Sequence, residues 1–334
     1  MYTIKNLAED SGYTVATVSR ALNNSPLVAD KTKKKIFKIA RENGYVPNAL
    51  ARGLVKRSSS SICVIVPDIV NPYFPLIVKA IQDRVNEEGM HVICGNSEWN
   101  PKTEKSLLQL SKEQRVAGII MDPVGDRTIE SIETIGLDIP IVFVGNRPED
   151  GDMSSVLVDN YRATIKSVDY LVDKGHRDIV MLGGKEDTFV NRERFRGYVD
   201  GMKKHGLETR IRKIACEYGE INGQIATREL LASKSIPTAI LAINDTVALG
   251  VIKEIKDHGM EVPQDISVIG FDDVEISEYI GLTTMREPRY EMGNKAATIL
   301  MEEINACREG STIPKQAIQY DSPIIERKTC KSIL

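Results

Sequence analysis

The sequence predicts a small all-α N-terminal unit followed by an α/β core of two lobes, each built on a doubly wound parallel sheet. Three short amphipathic helical patterns occupy the first 45 residues. From residue 61 onward, short β-branched runs alternate with amphipathic segments of helical length, as they do in parallel βαβ units. These runs form two similar sets, which indicates two sheets.

Length and composition favour a soluble protein of several domains. At 334 residues the chain exceeds what one hydrophobic core usually supports, and 42% hydrophobic with 27% charged residues is an ordinary globular composition. The N-terminus shows no basic stretch followed by an apolar run, and no apolar segment approaches the ~18 residues that span a bilayer. We therefore expect a cytoplasmic protein without membrane contact.

The sequence does not point to a metal, a cofactor or a catalytic centre. It contains neither a GxGxxG nor a GxxxxGK[S/T] motif, and its four histidines lack metal-ligand spacing. An enzyme is the main alternative class, because doubly wound sheets often carry one, but a binding role is favoured. The cysteines form no CxxC pair and are interpreted as reduced, mostly buried thiols: Cys63, Cys94, Cys216, Cys307 and Cys330.

Charge is unevenly distributed along the chain. Residues 1–60 carry eleven Lys and Arg against four Asp and Glu, a net charge of +7, so the remainder carries −10 of the overall −3. A basic head on an acidic body is expected when the head contacts a phosphate backbone. A solvated basic face would give the same count, so charge alone leaves both interpretations open.

The basic segment opens with two predicted helices separated by a tight turn. Thr3 can cap the first, over about residues 4–11, and Gly12 supplies the turn. Thr14 can cap the second. This arrangement indicates a helix-turn-helix. The second helix has an inward apolar stripe of Val18, Ala21 and Leu22.

A third helix is predicted after Asp30, which we expect to cap it, and before Gly44, which ends it. One face carries the apolar side chains Ile36, Ile39 and Ala40. Phosphate contact and simple solvation are equally consistent with the lysines of the other face. These are Lys31, Lys33, Lys34, Lys35 and Lys38.

The segments TIKNLAEDSGYTVATVSRALNN and GYVPNALARGL resemble the headpiece and hinge of the LacI/GalR (lac repressor) family of transcriptional regulators. The resemblance continues through VIVPDIVNPYF, AGII, GHRDIVMLGG, AINDTVALG, VPQDISVIGFDD and TTMREP, and so covers nearly the whole chain. It implies a periplasmic-binding-protein-like core. It also implies a homodimer that binds a pseudo-palindromic operator DNA and responds to a small-molecule effector.

The resemblance sets the expected domains. Residues 1–46 are the expected helix-turn-helix DNA-binding headpiece, residues 47–60 a hinge helix and linker, and residues 61–334 a ligand-binding and dimerisation core. Within the core, one lobe is expected to comprise about residues 61–160 with 291–320. The other is expected to comprise 161–290 with 321–334.

By the same resemblance, the second helix is the recognition helix, and Val15, Ala16 and Arg20 reach base edges in the major groove. Arg20 can form a bidentate contact to guanine, whereas Val15 and Ala16 can pack on a thymine methyl but donate no side-chain hydrogen bond. Other side chains are short, polar and suited to phosphate, with helix capping as their alternative role. They are Thr3, Thr14, Thr17, Ser19 and Asn23.

The expected hinge supplies three further DNA contacts, Asn48, Ala51 and Leu54. The segment 48–54 is too short to be a stable helix alone in water, so we expect it to order on DNA. In the family this helix lies in the minor groove, and Leu54 matches the apolar side chain that kinks a base step. Gly53 is a departure, because glycine inside a helix costs about 1 kcal/mol relative to alanine.

Ten strands are predicted in the core. The first set comprises Ile62–Val66, His91–Cys94, Gly118–Met121, Ile141–Val144 and Val156–Val158. The second set comprises Asp178–Leu182, Lys213–Ala215, Ala239–Ala242, Ser267–Gly270 and Leu282–Met285.

Ligands of doubly wound sheets bind beyond the carboxyl ends of the strands, so the residues there are candidates for the effector site. Those after the first strands are Tyr73, Phe74, Trp99 and Asp122. The second set offers Arg192, Arg194, Asn244, Asp245, Asp272 and Asp273. Of these, the resemblance implies that the strongest contacts are Arg192, five residues before Gly197-Tyr198, with Asn244 and Asp272. Aromatic faces with carboxylate, amide and guanidinium groups suit a polyhydroxylated ligand such as a sugar or a sugar derivative.

Other interpretations of single residues stay open. Trp99 is either a stacking platform or a loop anchor. Asp245 and Asp273 are more readily interpreted as helix caps than as ligand contacts.

The sequence therefore predicts a DNA-binding transcriptional regulator, a repressor, that is not an enzyme and uses no cofactor. One alternative is a regulator that senses a partner phosphocarrier protein. Another is a sugar-binding protein without a DNA role, which the basic head argues against. The presence of Arg192, Asn244 and Asp272 together favours a small molecule over a protein partner.

Overall fold

The computed structural model describes residues 2–45, 60–184, 188–233 and 235–334. The chain divides into two compact units, residues 1–59 and residues 60–334. The predicted hinge, with Asn48, Ala51 and Leu54, lies outside the described residues.

The first unit contains three helices, α1 (Ile4–Ser11), α2 (Val15–Leu22) and α3 (Asp30–Glu42). Thr3 caps α1 reciprocally, because Asn6 Oδ1 accepts from Thr3 N at 3.0 Å while Thr3 Oγ1 accepts from Asn6 N at 3.4 Å. Gly12 ends α1 at φ +74°, a left-handed conformation that glycine adopts without a steric penalty. Both predicted helices of the helix-turn-helix are thus present.

The third helix begins differently from the prediction. Asp30 is its first helical residue, and Ala29 precedes it with extended ψ and no side-chain hydrogen bond to the helix end. The carboxylate of Asp30 is therefore no cap, although it lies at the positive end of the helix dipole. The three helices enclose a small core of buried apolar side chains, Leu7, Ala8, Val18, Ala21, Val28, Ile36 and Ala40.

The second unit contains two six-stranded sheets. The first is ordered β11-β5-β4-β3-β1-β2 and the second β12-β10-β9-β8-β6-β7, with all neighbours parallel except β10 and β12. The strands are β1 (Ser61–Val66), β2 (His91–Asn96), β3 (Ile119–Met121), β4 (Ile141–Val144), β5 (Ser154–Val158), β6 (Ile179–Gly183), β7 (Lys213–Ala215), β8 (Ala239–Ala242), β9 (Ser267–Asp272), β10 (Thr283–Arg286), β11 (Ala317–Tyr320) and β12 (Ile324–Ile325).

All ten predicted strands are present within two residues of their expected ends, while β11 and β12 are additional. The predicted fold class, a helical headpiece with two doubly wound lobes, is confirmed.

Helices cover both faces of each sheet. They are α4 (Tyr73–Asn86), α5 (Pro101–Glu113), α6 (Thr128–Ile135), α7 (Asn160–Asp173), α8 (Phe189–Lys204), α9 (Glu220–Leu231), α10 (Asp245–Asp257), α11 (Glu275–Ile280) and α12 (Arg289–Arg308), with a 3₁₀ turn at Glu208–Arg210. Among the described residues, no helix has both the length and the apolar character that crossing a bilayer requires.

The central strands of each sheet are buried on both faces, as their nearly continuous apolar sequences require. In the first sheet, alternate residues of β1 separate into two clusters. Ile62 and Val64 pack towards α4 and α12, whereas Cys63 and Ile65 pack towards α5 and α6. We call this sheet with its helices the first lobe, and the other sheet with its helices the second lobe. Cys63, Cys216 and Cys330 are buried, while Cys94 and Cys307 are exposed.

In each sheet, the first strand in chain order lies between the next two, so the connections from it lead to opposite sides of the sheet. In the first lobe β1 lies between β2 and β3, and in the second lobe β6 lies between β7 and β8. Loops diverge at such switch points and leave a crevice beyond the carboxyl ends of the strands. The fold therefore directs the residues after β1, β3, β6 and β8 towards a shared cleft.

Candidate functional site

The outward face of α2 presents the three side chains expected to read bases. Val15, Ala16 and Arg20 are all exposed, while Val18 and Ala21 on the opposite side are buried. Val15 keeps 42% of its surface accessible, which is high for a β-branched apolar residue. An apolar and a guanidinium contact on one exposed helix face match what base edges offer in the major groove.

The hydroxyl side chains around α2 have a structural role as caps. Thr14 Oγ1 accepts from Thr17 N at 3.2 Å and lies 3.0 Å from Thr17 Oγ1. Asn23 closes the other end by donating from Nδ2 to the carbonyl of Ser19 at 2.9 Å. Since a hydroxyl that accepts one bond can still donate another, capping and phosphate contact are compatible.

The lysines of α3 differ in their surroundings. Lys35 donates to the carbonyl of Ser11 at 2.9 Å and lies 5.4 Å from the Tyr13 ring centroid, so it ties α3 to the turn. Lys33 pairs with Asp30 at 3.5 Å. Lys31 and Lys34 are exposed, and the exposed Lys38 lies 3.8 Å from Glu42.

The cleft of the second unit encloses a cavity of about 50 Å³. Its walls come from both lobes, at the carboxyl ends of the strands. The first lobe supplies Asn71, Tyr73, Phe74, Trp99, Asp122, Gly145 and Asn146, and the second supplies Thr188, Val190, Arg194, Tyr218, Asn244 and Asp272. Six of the seven expected ligand residues therefore line one cavity, and Arg192 is the exception.

A buried charge cluster occupies the centre of this cleft. Arg194 Nη2 donates to Glu287 Oε1 at 2.8 Å and lies 3.9 Å from Asp272 Oδ1. Glu287 also accepts from the hydroxyl of Tyr73 in the first lobe at 2.6 Å. Arg194, Asp272 and Glu287 are each no more than 5% exposed. The cluster thus joins the two lobes through groups held out of water.

Arg194 is held rigidly in place. Its Nε donates to Asn160 Oδ1 at 2.7 Å, its Nη1 donates to the carbonyl of Ile243, and its guanidinium lies 3.6 Å from the Phe271 ring centroid. A guanidinium fixed on all sides is preorganised to orient a ligand.

Arg192 lies at the rim of the cleft. It forms a bidentate pair with Asp126 at 2.9 and 3.1 Å and contacts Glu149 at 3.1 Å. Both carboxylates belong to loops of the first lobe, so Arg192 links the lobes from the outside. Arg192 does not line the cavity, whereas Arg194, two residues further along the chain, does.

Helical periodicity explains why Arg194 lines the cavity and Arg192 does not. The cavity and core face of α8 contains Val190, Arg194 and Tyr198, which are spaced by four residues. Arg192 lies two positions from Val190 and hence on the other side of the helix. The signal for choosing Arg194 was therefore present in the sequence, as the residue in phase with the buried stripe.

Asp122 lies against the backbone of Gly145. Gly145 has φ +82°, and a Cβ built on it would lie 2.3 Å from Asp122 Oδ2. Burial raises the pKa of Asp122 well above its ordinary value, and the nearby Glu287 and Glu104 raise it further. The pKa of Asp272 is likewise raised well above its ordinary value by burial first and by Glu287 second.

An aromatic pair closes the cavity. The rings of Trp99 in the first lobe and Tyr218 in the second are stacked with centroids 4.7 Å apart and an interplanar angle of 15°. Both residues also line a second cavity of about 360 Å³, together with Asp68 and Asn191. Trp99 has φ +53°, an uncommon conformation for a bulky residue, so the surrounding structure holds this ring against its backbone preference.

Three neighbouring polar residues have structural contacts. Asn244 caps α10, with Oδ1 accepting from Val247 N at 2.9 Å. Asp245 is fully buried and accepts from Val274 N, Ser277 Oγ and Thr284 Oγ1 at 2.6 to 3.0 Å. Asp273 pairs with Arg286 and Arg327 at 2.6 and 2.7 Å. Neither Asp245 nor Asp273 is a helix cap, contrary to the prediction.

Residues that sequence reasoning left out of the expected site include Glu287 and Tyr218. Glu287 follows β10 directly, and Tyr218 follows β7, so both lie at strand ends like the residues that were chosen. The strand-end rule applied to all strands of the second set would have identified them.

Gly145 provides a test of the packing in the cleft. We expect Gly145→Ala to lower the free energy of unfolding by about 1–2 kcal/mol for the left-handed backbone and by about 1–3 kcal/mol more for the overlap with Asp122. The matched control is Gly206→Ala, since Gly206 has φ +66° with no other atom within 4 Å of its Cβ position. Urea unfolding of both variants measures the difference, and equal losses would contradict the close approach.

Comparison with known proteins agrees with this arrangement. A sequence model described as "Bacterial regulatory proteins, lacI family" matches residues 3–48, and one described as "Periplasmic binding proteins and sugar binding domain of LacI family" matches residues 59–323. The chain is 32% identical to the HTH-type transcriptional repressor CytR of Escherichia coli (strain K12), over 92% of each chain. It is also 32% identical to the ribose operon repressor of Bacillus subtilis (strain 168), over 99% of each chain.

Among solved structures, the lac repressor dimer bound to operator and the anti-inducer ONPF superposes with a TM-score of 0.85 and 27% identity, covering 99% of each chain. The sequence models together match more than half of the chain, and the relatives are similar over nearly its full length. The chain therefore belongs to the LacI family of bacterial regulatory proteins.

Proposed function

We propose that this protein is a sequence-specific DNA-binding transcriptional repressor whose affinity for an operator is controlled by a small molecule bound in the cleft between the lobes. The observation that carries the proposal is that one chain combines two features. The capped helix α2 exposes Val15, Ala16 and Arg20, and the cleft of the second unit contains buried polar groups from both lobes. The similarity to two repressors, CytR and the ribose operon repressor, supports it. The proposed role is regulatory and not catalytic.

The protein is proposed to act as a homodimer on a pseudo-palindromic operator. One helix of eight residues reads too few base pairs for specific binding, and two-fold symmetry doubles the contact. Analytical ultracentrifugation should show a dimer at micromolar concentration. Monomer alone, with and without operator DNA, would refute this part of the proposal.

The effector is proposed to enter when the lobes separate. Ligand pockets usually measure about 300–1,000 Å³, whereas this cavity measures about 50 Å³. The Trp99–Tyr218 stack and the Arg192–Asp126 ion pair both connect the lobes and would have to break as they separate. A ligand that binds between the lobes therefore changes the balance between closed and separated lobes. We propose ligand contacts for Tyr73, Phe74, Trp99, Asp122, Arg194, Asn244 and Asp272.

The test of the DNA-binding role is a selection of bound sequences from a random library. Arg20→Ala is expected to weaken operator binding by about 1–3 kcal/mol and to relax preference at one position per half-site, because a bidentate contact to guanine is lost. Identical selected profiles for the parent and the variant would remove Arg20 from base reading.

Lys34→Ala is the matched control on the neighbouring helix. It is expected to weaken binding to all DNA alike and to reduce the slope of log affinity against log salt by about one unit at most, as loss of one phosphate contact does. Titrations at several salt concentrations measure this slope. An unchanged slope would place Lys34 on a solvated face.

A further inference from the structure

Two polar contacts that join the lobes differ in their access to water. The hydrogen bond between Tyr73 and Glu287 belongs to the central cluster, and both residues are buried. The ion pair between Arg192 and Asp126 lies at the rim, where the two side chains keep 26% and 44% of their surface exposed. Dissolved ions screen exposed charges much more than buried ones. Of these two contacts, the one at the rim should therefore respond to ionic strength.

The rim contact combines one guanidinium with two carboxylates. Arg192 donates to both oxygens of Asp126 at 2.9 and 3.1 Å, and its Nη2 lies 3.1 Å from Glu149 Oε2. Arg192 belongs to the first turn of α8 in the second lobe, whereas the carboxylates lie in the loops after β3 and β4 of the first lobe. We call these three residues the rim clasp. One side chain of the second lobe thus bridges two loops of the first.

Bonds within the first lobe hold the carboxylates of the rim clasp in place. Glu149 N donates to Asp126 Oδ1 at 3.1 Å, which fixes the two loops to each other. Arg147 Nη1 donates to the carbonyl of Glu149 at 3.4 Å. Neither bond involves the second lobe, so both can persist when the lobes separate. Acceptors that are already ordered cost less entropy when the ion pair forms.

The same turn of α8 makes two further contacts with the first lobe. The guanidinium of Arg147 lies 4.4 Å from the ring centroid of Phe189, and Val190 N donates to Asn146 Oδ1 at 3.3 Å. These contacts place the turn against the loop after β4. The rim clasp is therefore part of a packed contact between the lobes and brings Arg192 to the same carboxylates each time the lobes close.

The strength of the rim clasp suits a switch better than a structural support. An exposed ion pair changes an equilibrium constant by about fivefold at most. The bidentate geometry and the second carboxylate favour the upper part of this range. A factor of this size has little effect on the unfolding of a large core, but it shifts a balance between closed and separated lobes.

We propose that the rim clasp is a salt-sensitive latch, which holds the lobes closed at low ionic strength and releases them as the ionic strength rises. The latch depends on contacts within the second unit alone. Its regulatory consequence rests on the proposed function, because a closed cleft restricts entry of an effector. Salt weakens DNA binding directly through the release of counterions, and the latch would act in addition to this and without DNA.

Trp99 reports the separation of the lobes. It is the single tryptophan of the chain, and its ring stacks on Tyr218 of the other lobe. Separation removes this stack and exposes the indole to water. Quenching of its fluorescence by acrylamide measures that exposure. Because acrylamide is uncharged, its approach to the ring is not altered by screening of the protein charges.

The experiment is acrylamide quenching of the full chain, without DNA or ligand, from roughly 0.01 M to roughly 1 M salt. Over this range the Debye length falls from about 30 to about 3 Å. We expect the quenching constant of the parent chain to rise with salt, as the ratio of separated to closed lobes increases by up to about fivefold. Arg192→Gln should show the high value already at low salt, with little further dependence. The exchange Arg192→Glu with Asp126→Arg restores an ion pair and should restore part of the salt dependence.

Arg84→Gln is the matched control. Arg84 also contacts two carboxylates, Glu87 and Glu88, each at 3.3 Å, and its side chain is 20% exposed. All three residues lie in α4 or directly after it, so their ion pairs do not join the lobes. This variant should follow the parent at every salt concentration.

A quenching constant of the parent that stays the same from low to high salt would overturn the proposal. Equal salt dependence in the parent and in Arg192→Gln would overturn it as well. The proposed function is tested separately by operator binding. A chain that opens with salt but binds no operator would keep the latch and lose the regulator, whereas an operator-binding chain with salt-independent quenching would do the reverse.

Discussion

Arg194→Met is expected to lower the free energy of unfolding by about 3–5 kcal/mol, because breaking a buried ion pair leaves uncompensated charge in the interior. Arg194 is the counter-charge of Glu287 at 2.8 Å and of Asp272 at 3.9 Å, all of them buried. The loss should shrink as the pH falls. Burial and Glu287 raise the pKa of Asp272, so Asp272 takes up a proton more readily in the folded chain and the uncompensated charge disappears.

The matched control is Arg192→Met, two residues away on the same helix. Arg192 pairs with Asp126 and Glu149, which are exposed, and such pairs are worth about 0–1 kcal/mol. Urea unfolding at neutral and mildly acidic pH measures both variants. Equal losses for the two variants, or a loss for Arg194→Met that grows towards acidic pH, would contradict the assignment of the central cluster to Arg194.

Asp272→Asn is expected to abolish most of the stabilisation that an effector confers. A ligand at 100 times its Kd adds about 2.7 kcal/mol to the free energy of unfolding. Loss of a charge-assisted hydrogen bond costs about 1.5–3 kcal/mol, and a hundredfold weaker Kd would leave about 0.4 kcal/mol at the same concentration. Asparagine is the suitable replacement because Asp272 has φ +113° and asparagine tolerates positive φ better than alanine does.

The measurement is a thermal-shift screen of the parent chain against pentoses, hexoses, their phosphates and purines, repeated with the variant. Asp273→Asn is the control, because Asp273 is the next residue but turns to Arg286 and Arg327. A ligand that stabilises the parent and Asp272→Asn equally would place the site elsewhere. A screen in which no compound raises the melting temperature would contradict the small-molecule proposal and favour a regulator that senses a partner protein.

Much of the fold could be predicted because the signals are local. The three helices of the first unit follow from capping residues and apolar spacing, and the ten predicted strands follow from β-branched runs. Two strands were missed for one reason. β11 has alternating, partly exposed residues and β12 has two residues, so each is a strand because of the distant partner with which it pairs, β5 and β10 respectively.

The location of the site could be predicted from the sequence, whereas its individual residues could be predicted less completely. Tyr73, Phe74, Trp99, Asp122, Asn244 and Asp272 were chosen from strand ends or from the family resemblance, and the structure brings all six to one cavity. Arg192 was selected by its spacing to Gly197-Tyr198 and lies outside the cavity, whereas Arg194, which is in phase with the buried side of its helix, lines it.

The sequence by itself determined the elements, their order and the ends of the strands at which a ligand can bind, because periodicity, caps and turns act over a few residues. Tertiary structure alone decided which distant groups share an environment. Residues 73, 194, 272 and 287 are far apart in the chain, yet they form one buried cluster. Their charge balance and the closure of the cleft depend on burial and on distances through space, which no local pattern records.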